Sequence, residues 1–600
     1  MLRFETSSRG FGYRADSVLR RAVIAVLAAC ACAVSALAGS AGAATTPTTL
    51  APGITYQTQV RLTSHGPVVL NVITAPKPGG LYRFLPLITH DGFVGRGLLT
   101  AAERKISVST TAAGVNGDFF TLATGLLDGI LLRSGSLDNP PNEDRSSIGL
   151  AADGTLRVEP VSFFGYWQGL GQQRPLGLNR VNPDNGTTLY TPAFGGATPA
   201  NPSSLELVLS NFPPARPDID LSATVTDAHA GGATPIPANG AVLVANGDQI
   251  PPSSLEAPVG QTVVVRLALT PLWNDVTDAI GGGPLLVSHG IPVFGTLEYF
   301  TALDLARRQP RTAVGQKADG TIVLVTVDGS RPGYSGGLTN FELAQTMARL
   351  GAVTAGGLGT GTSTTMAFDG LLLNRPSDPH GETSVADALV IAYDGVFAPP
   401  PSEPALSPNG DGVADSQQLA YKVVRQSTVS ATLVGPDGQP RLSDTGAKAP
   451  GVYSFAWNGL NAAGSPETEG LWHWTITATD DLGRGSSAER TFRLDNTLGF
   501  LSLKPSPFSL RAKGSDLAVG VRLTRPARTS VSVYNAAGTL IATVQKKKLT
   551  AAGNLTVHWD GRNSYGQLVR GGTYEVRVLA SSAAGPVELS RSFQVRRLVR

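Results

Sequence analysis

The sequence predicts an α+β, strand-rich first domain followed by two smaller all-β domains. Short β-branched runs bounded by Gly, Pro, Asn and Asp fill most of the chain, a pattern typical of strands. One segment has the capping residues and apolar spacing of a helix, and the C-terminal third contains an internal repeat. At 600 residues the chain is also too long for a single hydrophobic core.

Residues 1–44 have the pattern of a secretory signal peptide. Arg20 and Arg21 precede an apolar run at 22–37, and small residues then lead to a cleavage site after Ala43 or Ala44. The apolar run is short and rich in alanine, which disfavours the alternative of a transmembrane anchor. We therefore expect export without a transmembrane span.

Both cysteines of the chain, Cys30 and Cys32, lie inside this predicted signal. The exported protein would have no thiol for a disulfide, a zinc site or a nucleophile, which excludes those chemistries. The stretch from Leu27 to Cys30 also resembles a lipoprotein cleavage box. Lipid anchoring at Cys30 is the second alternative, disfavoured because apolar residues continue after it.

The charge balance gives no support for a nucleic-acid or anionic-membrane partner. Five basic and two acidic residues fall within the first 44, so 43 of each sign remain after cleavage. The seven histidines form no ligand pair of the transition-metal type. The chain also lacks a Gly-x-Ser-x-Gly elbow and a phosphate-binding Gly-Lys-Ser/Thr loop, which disfavours serine-hydrolase and nucleotide chemistry.

One helix is predicted between residues 338 and 351. Thr339 can cap its first turn while the Glu342 side chain reaches back, and Leu338 and Leu343 can form a hydrophobic staple. Gly351 supplies a left-handed C-terminal cap. The predicted apolar face consists of Phe341, Ala344, Met347 and Leu350.

The C-terminal third repeats one motif. A Trp-(Asn/Asp)-Gly turn occurs at Trp457 and again at Trp559, each before a Gly-led strand. A repeat of about one hundred residues with alternating strands predicts two immunoglobulin-like sandwiches, at 405–496 and 497–600. Each tryptophan is expected to be buried by its turn, and a role as a ligand platform is the less favoured alternative.

A Pro-rich segment at 397–404 separates this tail from the first domain, at 45–396. Four prolines in so short a span favour an extended spacer with few contacts. The tail resembles the Ig-like module of the flagellar hook-capping protein, on the strength of the tryptophan motif in both copies.

Five motifs follow one another in the first domain. They are Gly-Val-Asn-Gly-Asp-Phe-Phe at 114–120, the Gly-rich stretch at 281–290, Arg-Thr-Ala-Val-Gly at 311–315, Val-Asp-Gly-Ser-Arg at 327–331 and Asn-Arg-Pro-Ser-Asp at 374–378. Their order over residues 57–394 resembles the phosphodiester glycosidases, the family of the lysosomal uncovering enzyme. The resemblance implies hydrolysis of a sugar–phosphate linkage, with the phosphate left on its carrier.

Such a reaction needs donors to the phosphate oxygens and a carboxylate near the anomeric carbon or the attacking water. Arg311 and Arg375 are the candidate phosphate ligands, because a guanidinium grips phosphate through a planar fork. Asp118 or Asp328 is the candidate acid/base, with Asp378 as a further carboxylate. With Asn116 and Ser363 as orienting residues, the hypothesis places six residues in one cleft: Asn116, Asp118, Arg311, Asp328, Ser363 and Arg375. For each of them an ordinary turn or surface ion pair is the alternative.

One departure from the family pattern bears on catalysis. After the helix the family usually has Leu-Asp-Gly-Gly-Gly-Ser, whereas this chain has Leu-Gly-Thr-Gly-Thr-Ser at 358–363. Gly359 stands where the acid would be, and the threonines disfavour positive φ. Either another acid serves, with Asp118 the nearest candidate, or the protein binds such substrates without efficient turnover.

A possible structural calcium site is predicted at the start of the tail. Asn409, Asp411 and Asp415 occupy alternate positions of a Gly-rich loop, as ligands do in calcium-binding loops. The loop lacks the distal Glu of an EF-hand, so a plain Asx turn is an equal alternative. No other cofactor is expected.

The resulting hypothesis is a secreted hydrolase acting on an extracellular phosphorylated glycan or cell-wall polymer. The alternative is a non-catalytic glycan-binding or adhesion protein on the same fold, which the glycine at 359 keeps open.

Overall fold

The computed structural model describes residues 43–90, 92, 94–293, 298–510, 514–583 and 585–597. The predicted signal segment up to residue 42 and the lipoprotein alternative at Cys30 lie outside them. Within the described ranges, no helix is long and apolar enough to cross a membrane.

The first domain is built mainly from strands. They are β1 (Ala43–Ala44), β2 (Thr48–Ala51), β3 (Ile54–Thr63), β4 (Gly66–Ala75), β5 (Tyr82–Ile88), β6 (Thr111–Asn116), β7 (Leu131–Arg133), β8 (Ser136–Asn139), β9 (Ser146–Ala151), β10 (Leu156–Pro160), β11 (Ser162–Gln168), β12 (Arg174–Pro175), β13 (Gly177–Leu178), β14 (Thr187–Tyr190), β15 (Ser204–Ser210), β16 (Asp220–Ala230), β17 (Gly240–Asn246), β18 (Thr262–Thr270), β19 (Val276–Gly281), β20 (Leu285–Ser288), β21 (Ile291–Pro292), β22 (Arg311–Lys317), β23 (Ile322–Val327), β24 (Ala352–Gly357), β25 (Met366–Phe368), β26 (Leu371–Leu372) and β27 (Asp387–Tyr393). The helices are α1 (Leu99–Ile106), α2 (Ile250–Glu256), α3 (Ala302–Ala306) and α4 (Asn340–Arg349), with 3₁₀ turns at Gly247–Gln249 and Gly361–Ser363.

Two sheets pack face to face around the main core of this domain. The first has the order β1-β3-β4-β23-β22-β24-β20-β21, with β2 paired to β3, and the second the order β26-β25-β6-β27-β5. Ile73 and Leu324 from the first sheet share one buried cluster with Val115 and Leu389 from the second. A third sheet, β10-β9-β19-β7-β8, adds Ile148 to the same core.

Strands β11 to β18 form a separate unit inserted between β10 and β19. Their order is β12-β11-β18-β16-β15-β17-β14-β13, and Leu176 joins the two edge strands β12 and β13. Its backbone N–H donates to the Gly165 carbonyl of β11 at 2.9 Å. Because the continuous segment 174–178 pairs with β11 through β12 and with β14 through β13, the sheet closes on itself as a barrel. Trp167, Leu207 and Val265 lie in the barrel core.

The predicted helix is confirmed as α4. Thr339 and Glu342 form the capping box in both directions, and Gly351 has φ +91° directly after the last turn. The predicted apolar face is wrong at Phe341, which is 46% exposed, whereas Leu343 is buried. The sheet contacts of α4 therefore centre on Leu343 and Met347.

The tail consists of two β-sandwiches. Its strands are β28 (Ala405–Leu406), β29 (Gln417–Val423), β30 (Ser427–Val434), β31 (Pro440–Lys448), β32 (Gly451–Trp457), β33 (Gly470–Asp480), β34 (Gly485–Leu494), β35 (Leu498–Lys504), β36 (Phe508–Leu510), β37 (Leu517–Leu523), β38 (Ala527–Asn535), β39 (Leu540–Thr550), β40 (Gly553–Trp559), β41 (Gly572–Ser582) and β42 (Gly585–Arg597). The sheets β28-β34-β33-β30-β31 and β29-β32 make the first sandwich, and β35-β37-β40 and β36-β42-β41-β38-β39 the second. Trp457 and Trp559 are buried, in agreement with the structural interpretation of the repeat.

The Pro-rich segment does not behave as a spacer with few contacts, and this expectation is wrong. Phe397 lies in the main core of the first domain, and Ala398 lies in the core of the first sandwich. Lys422 of β29 forms a 2.9 Å ion pair with Asp369 of the first domain. The Arg490 Nε of β34 donates to the Ala398 carbonyl at 2.7 Å, so the segment is packed on both sides.

The tail is predicted to fold alone, but its best boundary lies before the Pro-rich segment. Val396 and Ala398 are buried in the first sandwich, so a fragment of residues 394–600 should unfold at a higher temperature than one of residues 404–600. Burial of these two side chains corresponds to about 2 kcal/mol. Thermal unfolding by circular dichroism tests this. Equal melting temperatures, or an unfolded longer fragment, would contradict the boundary.

Candidate active site

The antiparallel register brings several predicted residues to one edge of the first sheet. Arg311 at the start of β22 pairs with Val327 at the end of β23, directly before Asp328. Ala313 pairs with Gly357, where β24 ends and the Gly-Thr turn begins. The site is therefore assembled where strands end and loops start, although its residues are far apart in the chain.

Asn116 ties the second sheet to this edge. Its Nδ2 donates to the Gly359 carbonyl at 2.9 Å, and its Oδ1 accepts from Thr312 Oγ1 at 2.7 Å and from the Thr365 N–H at 3.1 Å. The side chain is fully buried. Its observed contacts hold the turn at 358–363 in place.

Asp118 lies under the cleft described below. Its side chain is 1% exposed, Oδ2 accepts from the Gly129 N–H at 2.7 Å, and Oδ1 is 3.8 Å from Arg145 Nη1. Oδ1 has no hydrogen-bond partner among the residues that the structure describes. Burial raises the pKa of Asp118 to about 6, against the opposing effect of the Arg145 charge.

A second buried carboxylate, Asp387, lies beside Asp118. Its Oδ1 accepts from the Asp118 backbone N–H at 2.8 Å, and within the described part of the chain its Oδ2 has no partner. Burial, with the nearby Asp118 charge as a second cause, raises the pKa of Asp387 well above its ordinary value. Since two adjacent buried carboxylates resist being charged together, protonation of at least one is favoured.

The raised pKa of Asp118 predicts a stability that depends on pH. The folded state binds this proton more tightly than the unfolded state, so the free energy of unfolding should fall as pH rises from 3.8 to about 6. Asp118→Asn keeps an acceptor for the Gly129 N–H and should flatten this fall in melting temperature. Asp378→Asn is the control, because a backbone hydrogen bond from His380 lowers the pKa of Asp378. Parallel melting curves for wild type and Asp118→Asn would contradict the assignment.

Arg145, which sequence reasoning missed, lies on the floor of a cleft of about 450 Å³. Its guanidinium carbon lies 4.7 Å from the centroid of the Phe119 ring, and Nη2 donates to Asp128 Oδ2 at 2.5 Å. Its Nε lacks a partner among the described residues. The residue is 5% exposed. In the sequence it only ends a polar turn before β9, which gave no reason to select it.

Arg311 lines the same cleft, but its guanidinium is engaged by backbone. Nε donates to the Leu338 carbonyl at 3.1 Å, and Nη2 donates to the carbonyls of Asp304 and Arg307 at 2.6 and 2.8 Å. Burial lowers the pKa of Arg311 to about 10. These contacts hold the end of α3, and a phosphate-binding role for Arg311 stays a prediction.

Asp328, directly after β23, accepts hydrogen bonds from two neighbouring side chains. Its Oδ2 accepts from the Tyr334 hydroxyl at 2.8 Å and its Oδ1 from Asn374 Nδ2 at 3.1 Å. Burial raises the pKa of Asp328, and these hydrogen bonds oppose the rise. Arg375 is exposed, with its guanidinium carbon 4.8 Å from the Tyr334 ring centroid.

Of the six predicted residues, Arg311 lines the cleft, and the strand pairing places Asp328 next to the start of β22. Asn116 contacts the Thr365 N–H, and Asn374 joins the neighbouring Thr364 to Asp328. That all six residues form one cleft stays a prediction. Ser363 is half-buried in the turn, and the backbone carbonyl of the next residue, Thr364, accepts from Asn374 Nδ2 at 3.2 Å. The further candidate Asp378 forms a turn with His380, whose backbone N–H donates to it at 2.8 Å.

Gly359 occupies a closely packed position. Its N–H donates to the Gly117 carbonyl at 2.8 Å. A Cβ on Gly359 would lie 3.0 Å from Asn116 Nδ2 and 3.1 Å from the backbone oxygens of Gly117 and Asp118. A side chain at 359 would therefore begin in close contact with the Asn116 amide nitrogen and two backbone oxygens.

The loop predicted to bind calcium is internally hydrogen-bonded. Asp415 accepts from the N–H groups of Asn409, Gly410 and Gly412 at 2.7–3.0 Å, and Asp411 Oδ1 accepts from the Val413 N–H at 2.9 Å. These bonds fit the Asx-turn alternative. In the described ranges, no group of three or more His, Cys, Asp or Glu side chains is arranged to hold a metal.

Calcium binding by this loop stays a prediction with a direct test. If the loop binds Ca²⁺ in its folded form, millimolar calcium should raise the melting temperature of the tail fragment. Asp415→Asn should abolish that rise. An unchanged wild-type melting curve would leave only the turn.

Comparison with known proteins identifies two regions of the chain. Residues 218–392 match the phosphodiester glycosidase family. This part of the chain therefore resembles a phosphodiester glycosidase domain. Residues 508–584 match the FlgD Ig-like domain and form the second sandwich of the tail. The phosphodiester glycosidase match contains Arg311 and Asp328, whereas Asp118 and Arg145 precede it.

This chain spans 15% of the length of the curated relative that it matches. The SPbeta prophage-derived uncharacterized protein YomE of Bacillus subtilis (strain 168) is 38% identical over 98 residues, which is 16% of this chain and 15% of that protein. A solved hypothetical protein from Synechocystis is 27% identical, with a TM-score of 0.48 over 57% of this chain and 62% of its own. The zebrafish N-acetylglucosamine-1-phosphodiester alpha-N-acetylglucosaminidase catalytic domain, auto-inhibited by its pro-peptide, is 12% identical, with a TM-score of 0.31 over 58% of this chain and 87% of its own.

Proposed function

We propose that this protein is a secreted hydrolase that cleaves the sugar–phosphate linkage of glycosyl phosphodiesters in extracellular or cell-wall glycans. The observation that carries the proposal is the buried Arg145 on the floor of a 450 Å³ cleft, next to the partly exposed carboxylate of Asp128. The phosphodiester glycosidase match supports the reaction class. The secretory pattern of residues 1–44 supports the location.

Arg145 is the proposed phosphate ligand. Stacking on Phe119 and the ion pair with Asp128 fix the plane of its guanidinium, so that its N–H groups are oriented before substrate arrives. Asp118 is 3.8 Å from Arg145, and its protonation sets the net charge of the cluster. When Asp118 is protonated, the three groups Asp118, Asp128 and Arg145 carry no net charge, which favours binding of an anion over the fully ionised state.

The proposed reaction breaks the bond between the anomeric carbon and the phosphate oxygen. The oxygen of water bonds to the anomeric carbon, and the phosphate leaves as a monoester on its carrier. Asp128 is the proposed acceptor of the water proton, because its side chain is 48% exposed at the cleft. Asp118, at 1% exposure, acts through Arg145 as a positioning residue. Asp328, next to Arg375, stays the alternative carboxylate.

Hydrolysis in ¹⁸O-labelled water tests this proposal. The purified protein is incubated with the methyl phosphodiester of N-acetylglucosamine 1-phosphate and with matched esters of other sugars. We expect free sugar carrying ¹⁸O and unlabelled methyl phosphate. Label on the phosphate would contradict cleavage at the anomeric carbon. Binding of these esters without turnover would establish the non-catalytic binding protein instead.

A further inference from the structure

The active-site cleft continues into a groove that reaches the inserted barrel. A neighbouring cavity of about 610 Å³ shares Asp128, Asn142 and Asp144 with the cleft. A third, of about 450 Å³, shares Pro140, Phe163 and Arg180 with the second. We call the second cavity the middle section and the third the barrel section. Residues in common place the three cavities side by side, and we infer that together they form one groove for an extended ligand.

The barrel section presents an aromatic surface. Phe164 on β11 lines it and is 61% exposed. Tyr166 lies two residues further along the same strand and therefore on the same face, with ring centroids 6.2 Å apart. A large apolar side chain exposed in a groove next to an active site is typical of a ligand contact. Flat aromatic rings suit the apolar faces of sugar rings.

The charges of the groove select among glycans. The middle section is lined by three carboxylates, those of Asp128, Glu143 and Asp144, and by one guanidinium, that of Arg180. Arg145 pairs with Asp128 at 2.5 Å, which leaves Glu143 and Asp144 facing the groove. Arg180 Nη2 is already engaged by the Pro140 carbonyl at 2.8 Å. A chain with a phosphate on every sugar would place anions against these carboxylates, whereas an uncharged chain would not.

We propose that the groove binds an uncharged linear glycan whose terminal phosphodiester occupies the cleft, with Phe164 as the stacking platform at the far end. This inference rests on the proposed function for the cleft end only. The inserted barrel then sets the preference for long chains, and Phe164 is a specificity residue outside the reacting groups.

Binding measurements by calorimetry test the groove directly. The probes are neutral linear gluco-, chito-, manno- and galacto-oligosaccharides of two to eight sugars, and the polyanion poly(N-acetylglucosamine 1-phosphate). We expect affinity to rise with length in at least one neutral series. Phe164→Ala should weaken binding of the longest member about tenfold, the size of one aromatic contact, and leave the disaccharide unaffected.

Tyr565→Ala is the matched control, because Tyr565 is 86% exposed in the tail and far along the chain from the groove residues. The inference is overturned if both variants lose the same affinity, or if affinity does not depend on the length of the oligosaccharide. It is also overturned if the protein prefers the polyanion or binds none of the probes. The proposed function is tested by a separate assay, the hydrolysis of the short methyl phosphodiester. Phe164→Ala should leave the rate of this hydrolysis unchanged. If the wild-type protein shows length-dependent binding but no hydrolysis, the proposed hydrolase function is contradicted and the inference about the groove stands.

Discussion

Arg145→Lys is expected to lower kcat/KM on a glycosyl phosphodiester by about 10²-fold, with little loss of folded protein. Lysine keeps the positive charge between Asp118 and Asp128, so the two carboxylates stay compensated. It loses the planar fork that can bind two phosphate oxygens and the stacked contact with Phe119. Steady-state kinetics and thermal unfolding of the same preparation measure the two effects.

Arg311→Lys is the matched control for this prediction. Its guanidinium donates to three backbone carbonyls, and an ammonium on a flexible stem cannot reproduce that set. We therefore expect a lower melting temperature and a smaller change in kcat/KM per folded molecule. A large kinetic loss in Arg311→Lys, with Arg145→Lys unchanged, would instead assign the phosphate to Arg311.

Gly359→Asp is expected to destabilise the first domain by about 3 kcal/mol and to give no gain in activity. The new Cβ would be 3.0 Å from Asn116 Nδ2 and 3.1 Å from two backbone oxygens, so the carboxylate would be introduced in a crowded, buried place. An unpaired buried charge of this kind is costly, and the neighbouring chain is fixed by Asn116. Chemical denaturation and the hydrolysis assay together measure the outcome.

Gly359→Ala separates the steric effect of the added Cβ from the effect of the buried charge. It adds the Cβ without the charge, so we expect a cost of about 1 kcal/mol from the close contact with Asn116 Nδ2 at 3.0 Å. If Gly359→Asp instead increases hydrolysis and keeps the wild-type stability, the reaction lacks only the carboxylate at 359. The acid/base role proposed for Asp128 would then be wrong.

Features that depend on neighbouring residues could be read from the sequence. The capping box of α4 joins Thr339 and Glu342, three residues apart, and the turn after Trp457 or Trp559 is a local motif that repeats. Strand runs such as that of β23 follow from β-branched composition. The match to the phosphodiester glycosidase model agrees with the resemblance carried by the ordered motifs.

The composition of the site was decided by tertiary structure. Arg145 meets Asp118 across 27 residues and Asp118 meets Asp387 across 269, because the sheets bring their strand ends to one edge. No local pattern distinguishes these residues from a polar turn. The burial of Phe341 was likewise decided by tertiary structure. Its spacing in the sequence fits the apolar face of α4, but the packing of the helix leaves its side chain 46% exposed. Local hydrogen bonds and conformational propensities depend on residues that are close in the sequence. Burial depends on which distant strands pair, and the pKa of Asp118 depends on that burial.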